Sequence, residues 1–428
     1  MTRALFTPKR LMIWGAALCA LSWFIHLQTT MTPGLVDRVG RFKGSDYVQF
    51  YVMGSLLGEG RADALYDAHA HLSEGRRRID PNLGLYAAHP NYGPQVALAF
   101  VPLAALPYGW SLAVFLALSG IAYAFSVWIV WRDCDALRRH GRVVAVLAAA
   151  SPLLLTVVRY GQASAVAVLA LALALAAFKR GRLFLAGVAI GCLAYKPQLG
   201  VVFGLALVAT RQWRVVGGAA TAVTAQMAIA WIATGSQTLM RYFAELWLLV
   251  RDPRLVQTHP SELYSIRGFV HLLVPYEPVV ALCGAAALIG AIVLAARIWS
   301  ASTSLSVRFG ELIVLTILAS PHLISYDLLL LTIPLLLFAD WAVQHQDHRF
   351  SAVVPGALVL LYFAPFSGMI VARLIGVQIA VPVMAAVAWM MGREALAERQ
   401  DNFAIVAPRC ESVSSQNSTT SGWRSSAA

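Results

Sequence analysis

Long apolar runs alternate with short basic clusters over most of the chain, and that alternation predicts a helical membrane protein. The first run, Leu11 to Leu27, follows Arg3, Lys9 and Arg10. It resembles a signal peptide but lacks a small-x-small cleavage site, so it is expected to be an uncleaved first transmembrane helix. A polar stretch follows, over about 29–94. Gly109 to Trp131 is a full span, and Val215 to Thr234 and Glu277 to Ala296 are two more. Between them lie shorter runs joined by polar hairpins: Val143 to Val158 and Ala163 to Phe178 around Arg159-Tyr160-Gly161-Gln162, and Leu183 to Ala194 and Leu199 to Thr210 around Tyr195-Lys196-Pro197-Gln198. Leu312 to Leu323 and Leu328 to Leu337 flank His322 and Asp327, and Ala352 to Val371 and Leu374 to Met391 close the series. The pattern predicts an all-α polytopic bundle of about 10–13 transmembrane helices, nearest to twelve.

Orientation follows from the basic clusters. Those at 132–142, 179–182, 211–214, 297–308 and 392–399 all fall on one side if both termini are cytoplasmic. The two long polar stretches, about 29–94 and 235–276, then lie outside, in a multi-pass protein of the plasma (inner) membrane. Residues 1–395 form one domain, and the Ser/Thr-rich tail 396–428 is expected to be disordered and cytoplasmic, which discounts the sequon Asn417-Ser418-Thr419. Several runs are too short to cross a bilayer and are expected to line a cavity.

Composition adds little to this picture. The chain has 428 residues, 59% of them hydrophobic and 13% charged. A net charge of +12 would suggest nucleic acid in a soluble protein, but here the cations lie between spans and serve topology and headgroup contacts. The five cysteines have no metal-ligand spacing, and neither a Gly-rich phosphate loop nor a metalloprotease motif occurs, so no cofactor and no metal are expected.

The candidate chemistry collects on the outer side. In the first outer stretch, Tyr47, Phe50, Tyr51 and Leu57 recur at helical spacing, predicting an amphipathic surface helix capped by Ser45 or Asp46. Asp46 is read as that cap or as a catalytic base at the membrane face. Arg159, Gln162, Lys196, His322 and Asp327 all sit in outer hairpins, where ionisable groups are either snorkelling or functional. Arg159 and Lys196 converging would suit a phosphate or pyrophosphate. Asn91-Tyr92-Gly93-Pro94 is a turn or a cavity wall. His69, His71, His345, His348 and Arg76-Arg77-Arg78 are expected at the surface.

The order of these pieces resembles glycosyltransferase family 87, the polyprenyl-phosphate-mannose-dependent mannosyltransferase-like proteins of GT-C type. Asp46 before the aromatic run Tyr47 to Tyr51 carries the resemblance, with Gly58 to Leu65-Tyr66-Asp67 and Tyr92-Gly93-Pro94 to Leu106-Pro107. Gly161-Gln162, Ala186-Gly187 to Lys196-Pro197 and Ser320-Pro321-His322 with Tyr326 continue it, from about residue 10 to about 340. Gly93 stands where the pattern has a proline, and Leu323-Ile324-Ser325 lacks the expected aromatic and acidic residues. The resemblance implies a GT-C-type bundle with an outward active site on the first long loop. It implies a polyprenyl-phosphate sugar donor, mannose by default, and a glycan or lipid acceptor. Asp46 would be the catalytic base. Arg159, Lys196, Gln162 and His322 would contact the donor phosphate, and Tyr47, Tyr51, Tyr92, Tyr326 and Asp327 the sugar or acceptor. The alternative from a different class is a multi-spanning secondary transporter or flippase, although no paired halves with matching broken helices are visible.

Overall fold

The structure is a computed structural model that describes residues 7–84, 91–251, 259–301 and 304–406. The tail beyond 406, with Cys410 and the 417–419 sequon, lies outside the described residues. The chain is an all-α polytopic membrane protein. Its α-helices are α1 Pro8–Thr30, α2 Tyr47–Gly58, α3 Ala68–Arg78, α4 Pro94–Ala104, α5 Tyr108–Arg132, α6 Gly141–Ala149, α7 Pro152–Tyr160, α8 Ser164–Lys179 and α9 Leu183–Gly191. They continue with α10 Val201–Ala209, α11 Trp213–Arg251, α12 Ile266–Leu273, α13 Glu277–Trp299, α14 Leu305–Ala319, α15 Thr332–Gln344, α16 Val354–Tyr362, α17 Ala364–Ile375 and α18 Ala380–Val406. No strand forms among the described residues, only isolated bridges joining Val36 to Phe42 and Leu263 to Ile324.

Fewer helices cross a membrane on length than the 10–13 expected. Among the described residues six are long and apolar enough, or seven if the pair 354–375, bent by 57°, is one span. The other apolar runs fold as short helices. At about 1.5 Å per residue, α9 and α10 each reach about 13 Å, less than half of a hydrocarbon core of about 30 Å. They are interrupted at Cys192–Tyr195 and Pro197–Leu199 by 3₁₀ turns that leave Lys196 between them. A similar 3₁₀ segment, Ser325–Leu331, precedes α15. These breaks free backbone groups and place Lys196 and Asp327 in the protein interior, an arrangement tolerated in a membrane protein where surrounding protein satisfies them.

The first outer stretch differs from the expected surface helix. In α2, Tyr47, Val48, Phe50, Tyr51, Val52, Met53 and Leu56 are all buried. The Tyr47–Phe50–Tyr51 stripe is matched by apolar residues on the other faces, and a helix apolar all round belongs in a core. Its phenols point inward: the Tyr47 hydroxyl shares a hydrogen bond with Ser111 at 2.6 Å, and Tyr51 donates to the Leu106 carbonyl at 2.9 Å. Phe50 stacks on Phe100 of α4, with centroids 4.8 Å apart. Amphipathic character falls instead to α3, which buries His71 and Glu74 and exposes the arginines. His71, expected in solvent, places Nε2 2.8 Å from the Leu65 carbonyl. Arg77 and Arg78 are tied to Glu59 and to the buried Glu74.

Candidate active site

Two glycines bring the ends of α2 and α7 together. Gly161 takes a left-handed conformation (φ 71°) and ends α7. A Cβ there would lie 2.7 Å from the Tyr47 Cβ and 3.2 Å from the Gly44 Cα. Gly44 is also left-handed (φ 64°), and a Cβ on it would meet Leu112 at 2.8 Å. The absence of both side chains lets the Asp46 amide donate to the Tyr160 carbonyl at 3.0 Å.

Asp46 occupies the N-cap position of α2 without capping it. Its backbone is helical (φ −84°, ψ −19°), whereas a capping aspartate needs an extended one. The carboxylate turns away from the helix: Oδ2 accepts from Gln162 Nε2 at 2.8 Å, and Oδ1 from the Ser45 hydroxyl at 3.2 Å. The residue stays partly exposed. Burial pushes its carboxyl above the usual carboxylate range, opposed by the Gln162 and Ser45 hydrogen bonds, the Lys196 charge and the Tyr326 hydroxyl.

Gln162 is buried and held from both ends. Its Oε1 accepts from the Tyr92 hydroxyl and the Ala163 amide, each at 3.2 Å, so the hydrogen-bond network orients its amino group toward Asp46. Tyr92 is wedged between Phe50 and Tyr195, with centroids at 4.7 and 6.4 Å. Its carbonyl accepts from the Tyr66 hydroxyl at 2.9 Å. The Asn-Tyr-Gly-Pro turn thus delivers the Tyr92 hydroxyl to Gln162.

Behind this layer lies a buried ion pair. Lys196 Nζ donates to Asp327 Oδ1 at 2.6 Å, and the Ser164 hydroxyl donates to the same oxygen at 2.7 Å. Lys196 and Asp327 are 3% and 2% exposed, so the pair is sealed from solvent. The ammonium also lies 4.8 Å from the centre of the Tyr326 ring, which packs edge-on against Tyr160 at 5.6 Å. Asp327, expected as a sugar or acceptor contact, is the counter-ion of Lys196. His322 sits in the adjoining turn, pinned where the Tyr264 amide donates to the Leu323 carbonyl at 2.9 Å. Burial holds its imidazole low, at about 4, with Asp327 opposing and Lys196 and Arg267 adding. It is therefore neutral at neutral pH, a hydrogen-bonding group and not a second cation.

Asp46, Gln162, Tyr92, Tyr326, Lys196 and Asp327 thus form one cluster. The hydroxyls of Tyr47 and Tyr51 point elsewhere, into the packing of α2 against α5 and the turn before it. Arg159 lines a cavity of about 220 Å³ with His26, Arg41 and Ser45, backed by Leu112 and Leu116 of α5. Lys196 is not among its walls. A second cavity of about 480 Å³ shares Arg41, Ser45 and Tyr160 and adds the ion pair Glu262–Arg373, 2.8 Å long. Ser45, the neighbour of Asp46, fronts both. Ser164, Tyr195 and Arg41 were not singled out by sequence reasoning. Only the adjacency of Ser164 to Gln162 and of Tyr195 to Lys196 could have pointed to them. Among the described residues, no group of three or more His, Cys, Asp or Glu side chains could hold a metal ion.

The fold is that of an all-α polytopic membrane protein, with the Asp46 carboxylate partly exposed at the start of α2. The model of glycosyltransferase family 87 matches residues 91–321, more than half of the chain, and the chain belongs to that family. No curated protein and no solved structure matches it.

Proposed function

We propose that the protein moves a hexose, mannose by default, from a polyprenyl-phosphate sugar to a glycan or lipid acceptor, with inversion, on the outer face of the plasma membrane. The observation that carries this reading is Asp46: a partly exposed carboxylate, oriented by Gln162 and not used to cap its helix. Family membership favours transfer over the alternative of transport.

In the proposed step the acceptor hydroxyl oxygen attacks the anomeric carbon as its proton passes to Asp46. The bond between that carbon and the phosphate oxygen breaks, and polyprenyl phosphate leaves with the electron pair. Gln162 and Ser45 hold the carboxylate in place. Arg159, whose cavity joins polar and apolar walls, suits the phosphate of a lipid-borne donor. Lys196, neutralised by Asp327, acts on the site through its field and by fixing the Tyr326 ring. His322 offers a neutral hydrogen bond, and the sugar and acceptor would meet Tyr92 and Tyr326 at the wall of the site. The basic clusters at the far end of the bundle support an outward site with cytoplasmic termini.

The test uses purified protein in lipid nanodiscs with synthetic polyprenyl-phosphate mannose, glucose and arabinose. The wild type is expected to release or transfer one of these sugars. Asp46→Asn is expected to lose transfer while keeping donor binding. Full activity in Asp46→Asn would remove the base assignment, and no turnover or binding of any donor by the wild type would remove the donor class.

A further inference from the structure

The second polar outer stretch contains an element that the proposed chemistry does not use. Helix α11 breaks at Gly235, whose backbone (φ 78°, ψ 169°) is not helical. Without a break, the apolar segment 213–249 would be about 55 Å long, far more than a hydrocarbon core of about 30 Å. The part before the break, 213–234, is by itself about 33 Å and sufficient to cross. Residues 236–251 must therefore lie elsewhere.

That second part has two distinct faces. Met240, Phe243, Ala244, Trp247 and Leu248 are exposed and fall at i, i+3, i+4, i+7 and i+8, one apolar stripe on one side of the helix. The opposite side grips the first outer loop. Thr238 donates to the Ala62 carbonyl at 3.1 Å, and Arg241 to the Asp63 carbonyl at 2.6 Å. The buried Tyr242 packs on Tyr66, with centroids 6.0 Å apart. We infer that residues 236–251 form an interfacial helix lying along the leaflet on the Asp46 side, its Met240–Leu248 stripe seated in phospholipid between headgroups and upper acyl chains.

Three observations favour lipid as the occupant. The spanning half just before the break also exposes large apolar side chains, Ile229, Trp231 and Ile232. Trp247 stands toward its C-terminal end, with the Arg251 guanidinium 5.4 Å from the ring centre, a pairing of amphipathic ring and cation suited to the headgroup level. The polar grip on residues 62–66 keeps the other face turned to protein, so the stripe can only look away from the outer loop. The helix thereby ties that loop to the membrane surface.

The experiment uses the unmodified chain in phospholipid vesicles with two photoreactive diazirine phospholipids, one labelled near the glycerol and one at the acyl-chain end. Trypsin cuts after Arg241 and Arg251 and isolates Tyr242–Arg251 for mass spectrometry. Adducts on this peptide are expected from the shallow probe, with loss of most labelling for the chain-end probe. Equal or stronger labelling by the chain-end probe would mean insertion as a span. No labelling by either would mean that water or another protein covers the stripe. Either result overturns the interfacial placement, and neither depends on sugar transfer.

Discussion

At Asp46 two effects on one carboxylate pull in opposite directions. Burial favours the protonated form, while Gln162, Ser45, the Lys196 charge and the Tyr326 hydroxyl favour the charged form that a base requires. The acid limb of the transfer rate should therefore lie above the pH at which an ordinary aspartate titrates. Gln162→Leu removes a hydrogen bond that stabilises the charged form, so the carboxyl pKa rises further and the limb moves to higher pH. A pH profile of kcat would show the variant recovering part of its rate in alkali. A limb that stays in place would overturn the role assigned to Gln162. Asp46 and Gln162 were legible before the structure, since one followed the first helix and the other sat in a hairpin. Their contact was not, because 116 residues separate them. Nor was the partner of Lys196: a lysine and an aspartate 131 residues apart each read as a free ligand for substrate until the fold pairs them.

Between elements, the site depends on a close approach that only glycine allows. Gly161→Ala would place a left-handed alanine against Tyr47 and Gly44, where its Cβ has no room. The strain should cost about 1–3 kcal/mol. It should also push the Ser45–Asp46 segment away from Gln162. Thermal unfolding in detergent is expected to show a lowered Tm, and transfer assays a larger loss than the stability change explains. Unchanged Tm and unchanged transfer would mean that the contact is unimportant. The Gly161-Gln162 dipeptide stood out in the sequence, but its physical reason lay in the opposing Gly44. Helix α2 shows a different failure. A stripe of Tyr47, Phe50, Tyr51 and Leu57 fits an amphipathic surface helix, yet Val48, Val52, Met53 and Leu56 fill the remaining faces, and burial follows the whole circumference.

Over the whole molecule, hydropathy located the long spans, and among the described residues six pass on length and apolarity, while the shorter apolar runs are harder to read because a nine-residue apolar helix and half of a span look alike in a sequence. Segments such as α9 and α10, with the break between them, bring Lys196 into the protein interior. The polarity of the bundle rests on the spans that do cross. The Tyr108 hydroxyl, at the start of α5, donates to the carbonyls of Lys43 and Gly44, beside Asp46. The helix ends at Arg132, about 37 Å further on, and there Lys179 Nζ donates to the Asp133 carbonyl at 2.9 Å. The Asp46 site and the basic loops are thus at opposite ends of one span, and locating either end locates the other. In a cysteine-free background, His69→Cys lies exposed on α3 at the Asp46 end, and Arg139→Cys lies exposed just past the far end. A membrane-impermeant maleimide is expected to label the first in intact cells and the second only after the membrane is opened. The reverse order would place Asp46 at the cytoplasmic face, where a donor carried on the outer leaflet could not reach it.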